Sequence, residues 1–373
     1  MENCNIIITR LETSAQPDGI NVFIWHLAEE LSNRGFKVAV VSAFGADKHT
    51  IQELFDVNLS ENIDIKVLAP RGDYRKSAFK FVTLWLMKGL KVLSKLSPNL
   101  IIMNGSIPII GLKNCLKVTV NHDLESRYRF QKQYEYMVYR FFDYIVTTTP
   151  ELKNALIKKY RLQKEKIIII PVGINTRKYR YKGINERENA ILHVGTRRSK
   201  NLEVTIRAFE YILNCDPDVT LYITGPQTEY LVHILSKIDI GIRNKIRYLG
   251  VLPSNKLKDL YSRVKITIVP SSYKVPVISP TVLESFAMGT PVIGSDKAIS
   301  KILLINGYNG YRVNINLVNS IATYAIKLLY DKNLWKKLSY NALKHVKYFD
   351  IRCVVDEYIK KLLLRKYYEK RIH

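Results

Sequence analysis

The stretch Lys265–Asp296, KITIVPSSYKVPVISPTVLESFAMGTPVIGSD, decides the fold of this chain. Residues 265–269 are a short β-branched run closed by Pro270, too short for a helix, and predict a buried strand. A polar loop follows, and a helix begins near Ser279–Pro280, with serine suited to the cap and proline to the first helical position. Gly289 ends that helix, and Pro291–Gly294 is a second buried strand. Strand, helix and strand form a βαβ unit, whose ligand edge lies at the carboxyl ends of the strands. The helix amino terminus there presents unpaired N–H groups and a partial positive charge, a ready site for an anion. Glu284 lies about one turn inside the helix. A carboxylate there accepts hydrogen bonds from vicinal hydroxyls of a sugar or ribose, or is simply an acid favoured by the helix dipole.

Working outward from this unit, Asn5–Thr9 predicts a strand, Pro17-Asp18-Gly19 a turn, Ile20–Arg34 an amphipathic helix and Lys37–Ser42 a strand, the opening βαβ of a doubly wound sheet. Further strands are expected at Ile63–Leu68, Leu100–Met103, Lys117–Asn121, Phe142–Thr148 and Ile167–Ile170, with a helix from Pro150 to Tyr160. The second half opens with a strand at Ala190–Val194, the turn GTRRSKN and a helix at Leu202–Leu213. Strands at Thr220–Thr224 and Ile246–Leu249 follow, then helices at Leu317–Leu329, Asn333–Lys347 and Ile351–Tyr368. The expected division is a first domain over residues 1–172, rejoined by a carboxyl-terminal helix over 351–373, a polar linker over 173–189, and a second domain over 190–350.

The segment PSS…VLESFAMGTPVIGSD resembles the donor-binding signature of family 4 retaining glycosyltransferases, which have the GT-B fold. That family shows a glutamate, seven residues, a second glutamate and then A-M-A-x-G-x-P-V-I. Glu284 matches the second glutamate, Ala287–Ile293 the tail and Ser271 the preceding serine, whereas Pro276 stands at the first glutamate. Four other segments resemble the same family: KVTVNHDL with His122 and Asp123, PVGINTRKY, VGTRRSKN with Arg197, Arg198 and Lys200, and RYLGVLPSNKLKDLYSRVKITIVPSS. The resemblance implies two Rossmann-like doubly wound domains facing a central cleft, and transfer of a sugar from a nucleoside-diphosphate sugar to a hydroxyl acceptor with retention, without metal or cofactor.

It also implies roles. Glu284, Ser279 and Thr281 would face the donor; Arg197, Arg198 and Lys200 would meet its diphosphate; Gly19 matches the last glycine of a loop that approaches the donor. His122 would lie near the donor sugar, with Asp123 orienting the imidazole or capping the next turn, although a lone histidine after a strand is also a common structural residue. Residues near Gly250–Leu252 would meet the nucleobase. Arg127, Tyr128, Arg129, Tyr134 and Tyr139 make a basic, aromatic segment suited to an acceptor.

At 373 residues, with 47% hydrophobic and 24% charged residues, the chain is long enough for two buried cores. Its four cysteines are scattered, with no C-x-x-C pair, as in a reduced cytoplasmic protein. No apolar run spans a bilayer, and the amino terminus is expected to be a first strand, not a signal peptide. The net charge of +25 favours anionic partners. Spread along the whole chain, it lacks the single dense patch of a nucleic-acid domain. Tyr74–Leu96 is the exception: its charge comes from Arg75, Lys76, Lys80, Lys88, Lys91 and Lys95, with no acid, beside Phe79, Trp85 and Leu86. Such a helix either lies on an anionic membrane or packs on the sheet with a solvated basic face. The expected partners are a nucleotide sugar, a glycan or lipid-linked acceptor and an anionic membrane surface, not nucleic acid. A non-catalytic nucleotide- or sugar-binding protein of the same fold is the alternative.

Overall fold

The computed structural model describes residues 5–13, 18–68, 83, 85–105, 107–124 and 131–364. The chain divides into two units: residues 1–173 together with 351–373, and residues 174–350.

Among the described residues of the first unit, seven strands form one parallel sheet: β1 Asn5–Thr13, β2 Lys37–Gly45, β3 Ile63–Val67, β4 Leu100–Asn104, β5 Leu116–Asn121, β6 Tyr144–Thr147 and β7 Ile167–Ile169, in the order β3-β2-β1-β4-β5-β6-β7. The register pairs Ile6 with Val38 on one side and Leu100 on the other. Ile6, Ile7 and Ile8 are all buried, the pattern of a central strand covered on both faces. The helix Gly19–Asn33 starts at Asp18, whose carboxylate accepts from the backbone N–H groups of Ile20 and Asn21 at 3.0 and 2.8 Å. The carboxyl-terminal helix Ile351–Tyr358 and the π-helical turns Ile359–Leu364 belong to this unit. Arg34 pairs with Asp356 at 2.8 Å, and Lys361 donates to the Ile169 carbonyl at 2.9 Å.

Of the expected basic segment Tyr74–Leu96, residues 74–82 and 84 lie outside the described residues. The rest is a π-helical stretch, Trp85–Gly89, running into the helix Leu90–Lys95. Trp85 and Leu93 are fully buried in the core of the first unit, with Ile7, Val41 and Ile101. Gly89 admits the indole: a Cβ there would lie 2.9 Å from Trp85 Cδ2. Trp85 therefore packs on the sheet and is not available for insertion into a lipid surface.

Among the described residues of the second unit, six strands form the other parallel sheet: β8 Glu188–Val194, β9 Thr220–Thr224, β10 Ile246–Tyr248, β11 Val264–Val269, β12 Val292–Ser295 and β13 Gly310–Val313, in the order β10-β9-β8-β11-β12-β13. The helices Leu202–Leu213, Val318–Tyr330 and Lys332–Val346 bury Leu202, Ile206, Phe209, Ile321, Leu328 and Trp335 against Ile191, Leu221 and Ile266 of the sheet. The fold is thus two α/β units of Rossmann type.

The polar stretch expected as a linker over 173–189 is built into the second unit from Ile174 onward. Arg187 is buried and donates to the carbonyls of Lys182, Tyr261, Val264 and Met288 and to the Thr290 hydroxyl. Its guanidinium lies 4.9 Å from the Trp335 ring, and burial pushes it down to about 10. A charged sequence is here part of a core because backbone carbonyls supply its partners.

Candidate active site

In a doubly wound sheet the ligand crevice opens where the strand order reverses, at the carboxyl ends of the two strands on either side. In the second unit these are β8 and β11. The chain leaves β8 through Gly195, at φ +97°, and makes a tight turn over Arg198–Lys200 into the helix at Leu202. The stem of Lys200 lies against Gly195, where a Cβ would come 3.0 Å from Lys200 Cγ. Gly225, at φ +139° after β9, packs equally closely, with a Cβ position 3.0 Å from the Thr196 nitrogen.

His193 braces the turn from below. Its Nε2 donates to the Gly195 carbonyl at 2.9 Å, while Nδ1 accepts from the Thr205 hydroxyl at 2.8 Å. Burial, with the Lys200 charge assisting, holds this histidine down at about 4, so it is neutral. Arg197 and Arg198 are exposed and Lys200 is half-buried. The Lys200 ammonium stands 5.5 Å from the Tyr273 ring and the Arg198 guanidinium 5.6 Å from Tyr230. Among the described residues no carboxylate pairs with Arg197, Arg198 or Lys200.

The loop after β11 is laced to this turn. Ser272 N donates to Ser199 O at 3.0 Å, and Asn201 Nδ2 donates to Pro270 O at 2.9 Å. The loop leads to the helix Pro280–Ala287, where Ser279 occupies the cap position without using its side chain to cap. The hydroxyls of Ser271 and Ser279 are buried, and among the described residues neither has a hydrogen-bond partner. Val277, next to Pro276, is tied by its backbone to Ala298 and Ser300 at 3.0 Å each. Thr281 and Glu284 are buried. The Tyr261 phenol donates to Glu284 Oε2 at 3.0 Å and also meets the Thr281 side chain. Burial pushes the Glu284 carboxyl up to about 7, opposed by the Tyr261 hydrogen bond and by the charges of Lys258 and Lys200. Of the residues expected to meet the donor, Arg197, Arg198, Lys200, Ser279, Thr281 and Glu284 thus lie at this sheet edge, whereas Gly19 belongs to the first unit.

The first unit repeats the arrangement at β1 and β4 with different contents. Arg10, on β1, forms a two-pronged pair with Asp18 at 2.9 and 3.1 Å and donates to Asn21 Oδ1 at 2.5 Å. Gly19 is the first residue of the helix that Asp18 caps. His122, just beyond β5, bonds through Nε2 to Asn104 Oδ1 at 2.9 Å and stands edge-on to Phe23, with ring centres 6.0 Å apart. Loss of solvent, with Arg10 nearby, pushes it down to about 3, and Asp18 opposes the shift. The imidazole is thus neutral and held by Asn104. Asp123 is exposed.

Arg10, Asn104 and Tyr261 escaped the sequence reading. Arg10 and Asn104 share a signal, a polar residue interrupting or ending an apolar run, NIIITR and LIIMN. Of the basic, aromatic segment expected to suit an acceptor, Arg127, Tyr128 and Arg129 lie outside the described residues, while Tyr134 packs against the core and Tyr139 is buried edge-on to Tyr160.

Comparison with known proteins assigns both halves. Residues 17–178 match the family described as Glycosyltransferase Family 4, and residues 175–345 match Glycosyl transferases group 1. The chain belongs to glycosyltransferase family 4. The first match contains Gly19, His122 and Asp123, and the second contains every donor-side residue from Arg197 to Glu284. An uncharacterized glycosyltransferase of Methanocaldococcus jannaschii is 27% identical over 217 residues, covering 54% of this chain and 55% of that protein. The O-antigen chain mannosyltransferase of Salmonella typhimurium is 27% identical over 233 residues, covering 60% of this chain and 63% of that protein. The chain thus spans less than two thirds of these curated relatives' length. Among solved structures, sucrose-phosphate synthase from Thermosynechococcus elongatus aligns over 99% of this chain and all of that chain, with a TM-score of 0.78 at 17% identity. An Anabaena protein solved in complex with UDP and glucose aligns over 96% of this chain and 99% of that one, with a TM-score of 0.74 at 16% identity. At such identities the likeness establishes the GT-B fold of this family 4 glycosyltransferase.

Proposed function

We propose that this glycosyltransferase moves a sugar from a nucleoside-diphosphate sugar to a hydroxyl acceptor, with retention at the anomeric carbon. The observation that carries this reading is the second unit's sheet edge. A cation-bearing turn and a helix amino terminus meet there, with two buried serine hydroxyls left open and a buried carboxylate one turn further in. Arg197, Arg198 and Lys200, with the N–H groups of the helix, suit a diphosphate. Ser279 and Thr281 lie where that diphosphate would enter, and Glu284 suits the ribose diol. In the first unit His122, as a neutral imidazole, is assigned to the transferred sugar.

In the reaction the bond from the anomeric carbon to the diphosphate oxygen breaks. The acceptor oxygen bonds to the same face of that carbon, and the acceptor proton passes to the departing phosphate oxygen. Negative charge grows on the leaving group, and fixed cations stabilise it most where it is greatest. No metal or resident cofactor is assigned a part.

We assign the acceptor to the lipid-linked or cell-surface glycans, with the enzyme working peripherally at the cytoplasmic face of a membrane. Among the described residues no helix is long and apolar enough to cross a bilayer. Lys88, Lys91 and Lys95 are exposed beside Met87, which is 72% exposed, while Trp85 and Leu93 face the core. Among the described residues the attachment surface is therefore basic, and Trp85 takes no part in it.

The test of the transfer reading is a thermal-shift screen of UDP, GDP, ADP and CMP and their sugars. A ligand that binds only the folded state raises the melting temperature. One base should shift the midpoint by several degrees, and its sugar should be turned over with a polyprenyl-linked acceptor. A protein that no nucleotide stabilises is not this enzyme, and nucleotide binding without transfer to any acceptor identifies a binding protein of the same fold.

A further inference from the structure

The Glu284 carboxylate sits in a setting that none of its own neighbours in sequence explains. It is buried, and its Oε2 takes the phenolic hydrogen of Tyr261 at 3.0 Å, from a residue equally removed from solvent. Among the described residues no hydrogen bond ends on Oε1. Tyr261 lies in the helix Ser254–Arg263 and is fastened at its backbone as well: its carbonyl accepts from Thr290 Oγ1 at 2.7 Å and from Arg187 Nη1 at 3.0 Å. A residue pinned at its carbonyl by a buried arginine and threonine, and meeting one carboxylate oxygen with its phenol, has little freedom to move. It fixes both the rotation of the carboxylate and which oxygen is engaged.

We propose that Tyr261 is the positioning residue for Glu284, occupying Oε2 so that Oε1 is kept for the hydroxyls of a bound nucleotide. This rests on the reading of Glu284 as the ribose-binding group. Tyr261 itself touches no substrate. A carboxylate must be ionised to accept from two hydroxyls, and burial works against that. The groups that face it are the Tyr261 phenol and Lys258 from the helix Ser254–Arg263 and Lys200 from the turn after β8; Thr281, on the same helix as Glu284, and Tyr179 meet Tyr261. Tyr261, Lys258 and Lys200 hold the carboxyl down near 7 against its burial. Taking away the Tyr261 hydrogen bond moves the carboxyl further up, so ligand binding requires a higher pH.

The experiment is calorimetric titration of the nucleoside diphosphate that the wild type prefers among UDP, GDP and ADP, from about pH 4 to 9, on wild type, Tyr261→Phe and Glu284→Gln. Wild-type affinity should fall progressively below about pH 7. Phenylalanine keeps the ring and its packing, and should move the midpoint upward, weakening binding at pH 7 by about fivefold for a movement of one unit and recovering most of it by pH 9. Glu284→Gln should bind weakly at every pH, keeping only the dependence imposed by the ligand's own terminal phosphate, which titrates at about 6. An unmoved midpoint in Tyr261→Phe, with a uniform loss or none, overturns the positioning role and leaves the ribose reading standing. A Glu284→Gln variant that binds as the wild type does, or a wild type that binds no nucleoside diphosphate, overturns the ribose reading and the proposal with it. Should Tyr261→Phe not fold, the wild-type profile still decides: a midpoint in the ordinary carboxylate range near 4 refutes the argument.

Discussion

Lys200 is the residue on which the diphosphate reading is most exposed to disproof, and Lys200→Met is the substitution that isolates its charge. The stem packs on Gly195, close enough that a Cβ there would lie 3.0 Å from Cγ, and methionine keeps most of that contact. What is lost is the ammonium, which stands 5.5 Å from the Tyr273 ring and whose charge also reaches Glu284 and His193. A cation over an aromatic ring at a partly solvated site contributes about 0.5–1 kcal/mol, which bounds the loss of stability. Toward a bound diphosphate the same ammonium makes a charge-assisted hydrogen bond of about 1.5–3 kcal/mol, roughly ten- to more than a hundredfold in affinity. The assay is calorimetric titration with the nucleoside, monophosphate and diphosphate of the preferred base, beside chemical denaturation of both proteins. The diphosphate should lose that factor, while the nucleoside loses only the smaller part that follows from Lys200 no longer helping to ionise Glu284. In turnover kcat should fall more than KM rises, because the phosphate charge grows toward the transition state. Gly195→Ala provides a second route to the same loss, since it drives a methyl into the lysine stem at φ +97°. Equal weakening of nucleoside and diphosphate by Lys200→Met would refute the reasoning.

Three further outcomes can be checked on the same material. Arg187→Met removes the donor to several buried carbonyls, and should cost at least about 3 kcal/mol in urea denaturation, far more than a surface arginine. His193 is held at about 4 in the folded state, below the 6.5 of an unfolded histidine, so its contribution is complete above pH 6.5. As the pH falls from 6.5 toward 4 the unfolded chain takes the proton first, and up to about 3 kcal/mol is lost. His193→Gln should therefore lose its stability deficit relative to wild type across that window, and a deficit independent of pH would contradict the buried neutral ring. For the membrane surface, changing Lys88, Lys91 and Lys95 to glutamine should release the protein from anionic vesicles at low salt, since each contributes about 1 kcal/mol there. Wild type that ignores such vesicles would leave a transferase with a soluble acceptor.

The elements with strong end signals were legible in the sequence. Pro150–Tyr160 has proline at its first turn and Thr149 as a cap that accepts from Leu152 N at 3.0 Å, and its predicted bounds are the observed ones. Leu202–Leu213 likewise coincides, because its apolar positions repeat at helical spacing and Phe209 and Ile212 face the core. The helix Lys48–Phe55 was missed because Ile51 and Phe55 are all that it buries, and β13 because four residues make no periodicity. The apolar run around Trp85 suggested a lipid face since periodicity reports that a face is apolar and not what covers it. On the donor side the contiguous motifs placed Arg197, Arg198, Lys200, Ser279 and Glu284 at strand ends. Tyr261 was invisible, because its partner is 23 residues away and nothing local marks a tyrosine as donor to a buried carboxylate.

The two sheets use one topological device for different electrostatic ends. At the first switch point Arg10 is spent on Asp18 and Asn21, and the nearby histidine is neutral, so the cation is committed within the protein. At the second, Arg197, Arg198 and Lys200 have no carboxylate partner among the described residues, and Glu284, which the Lys200 charge reaches, is buried and bonded to a phenol. A cation already paired gains little from an arriving phosphate, because a new attraction must be set against the one it weakens. Uncommitted cations on a turn braced by His193 and by the loop after β11 bear no such cost. The charge of the second site is therefore available to an anionic ligand from the start, which is why the diphosphate is assigned to this unit and Arg10 is left out of it.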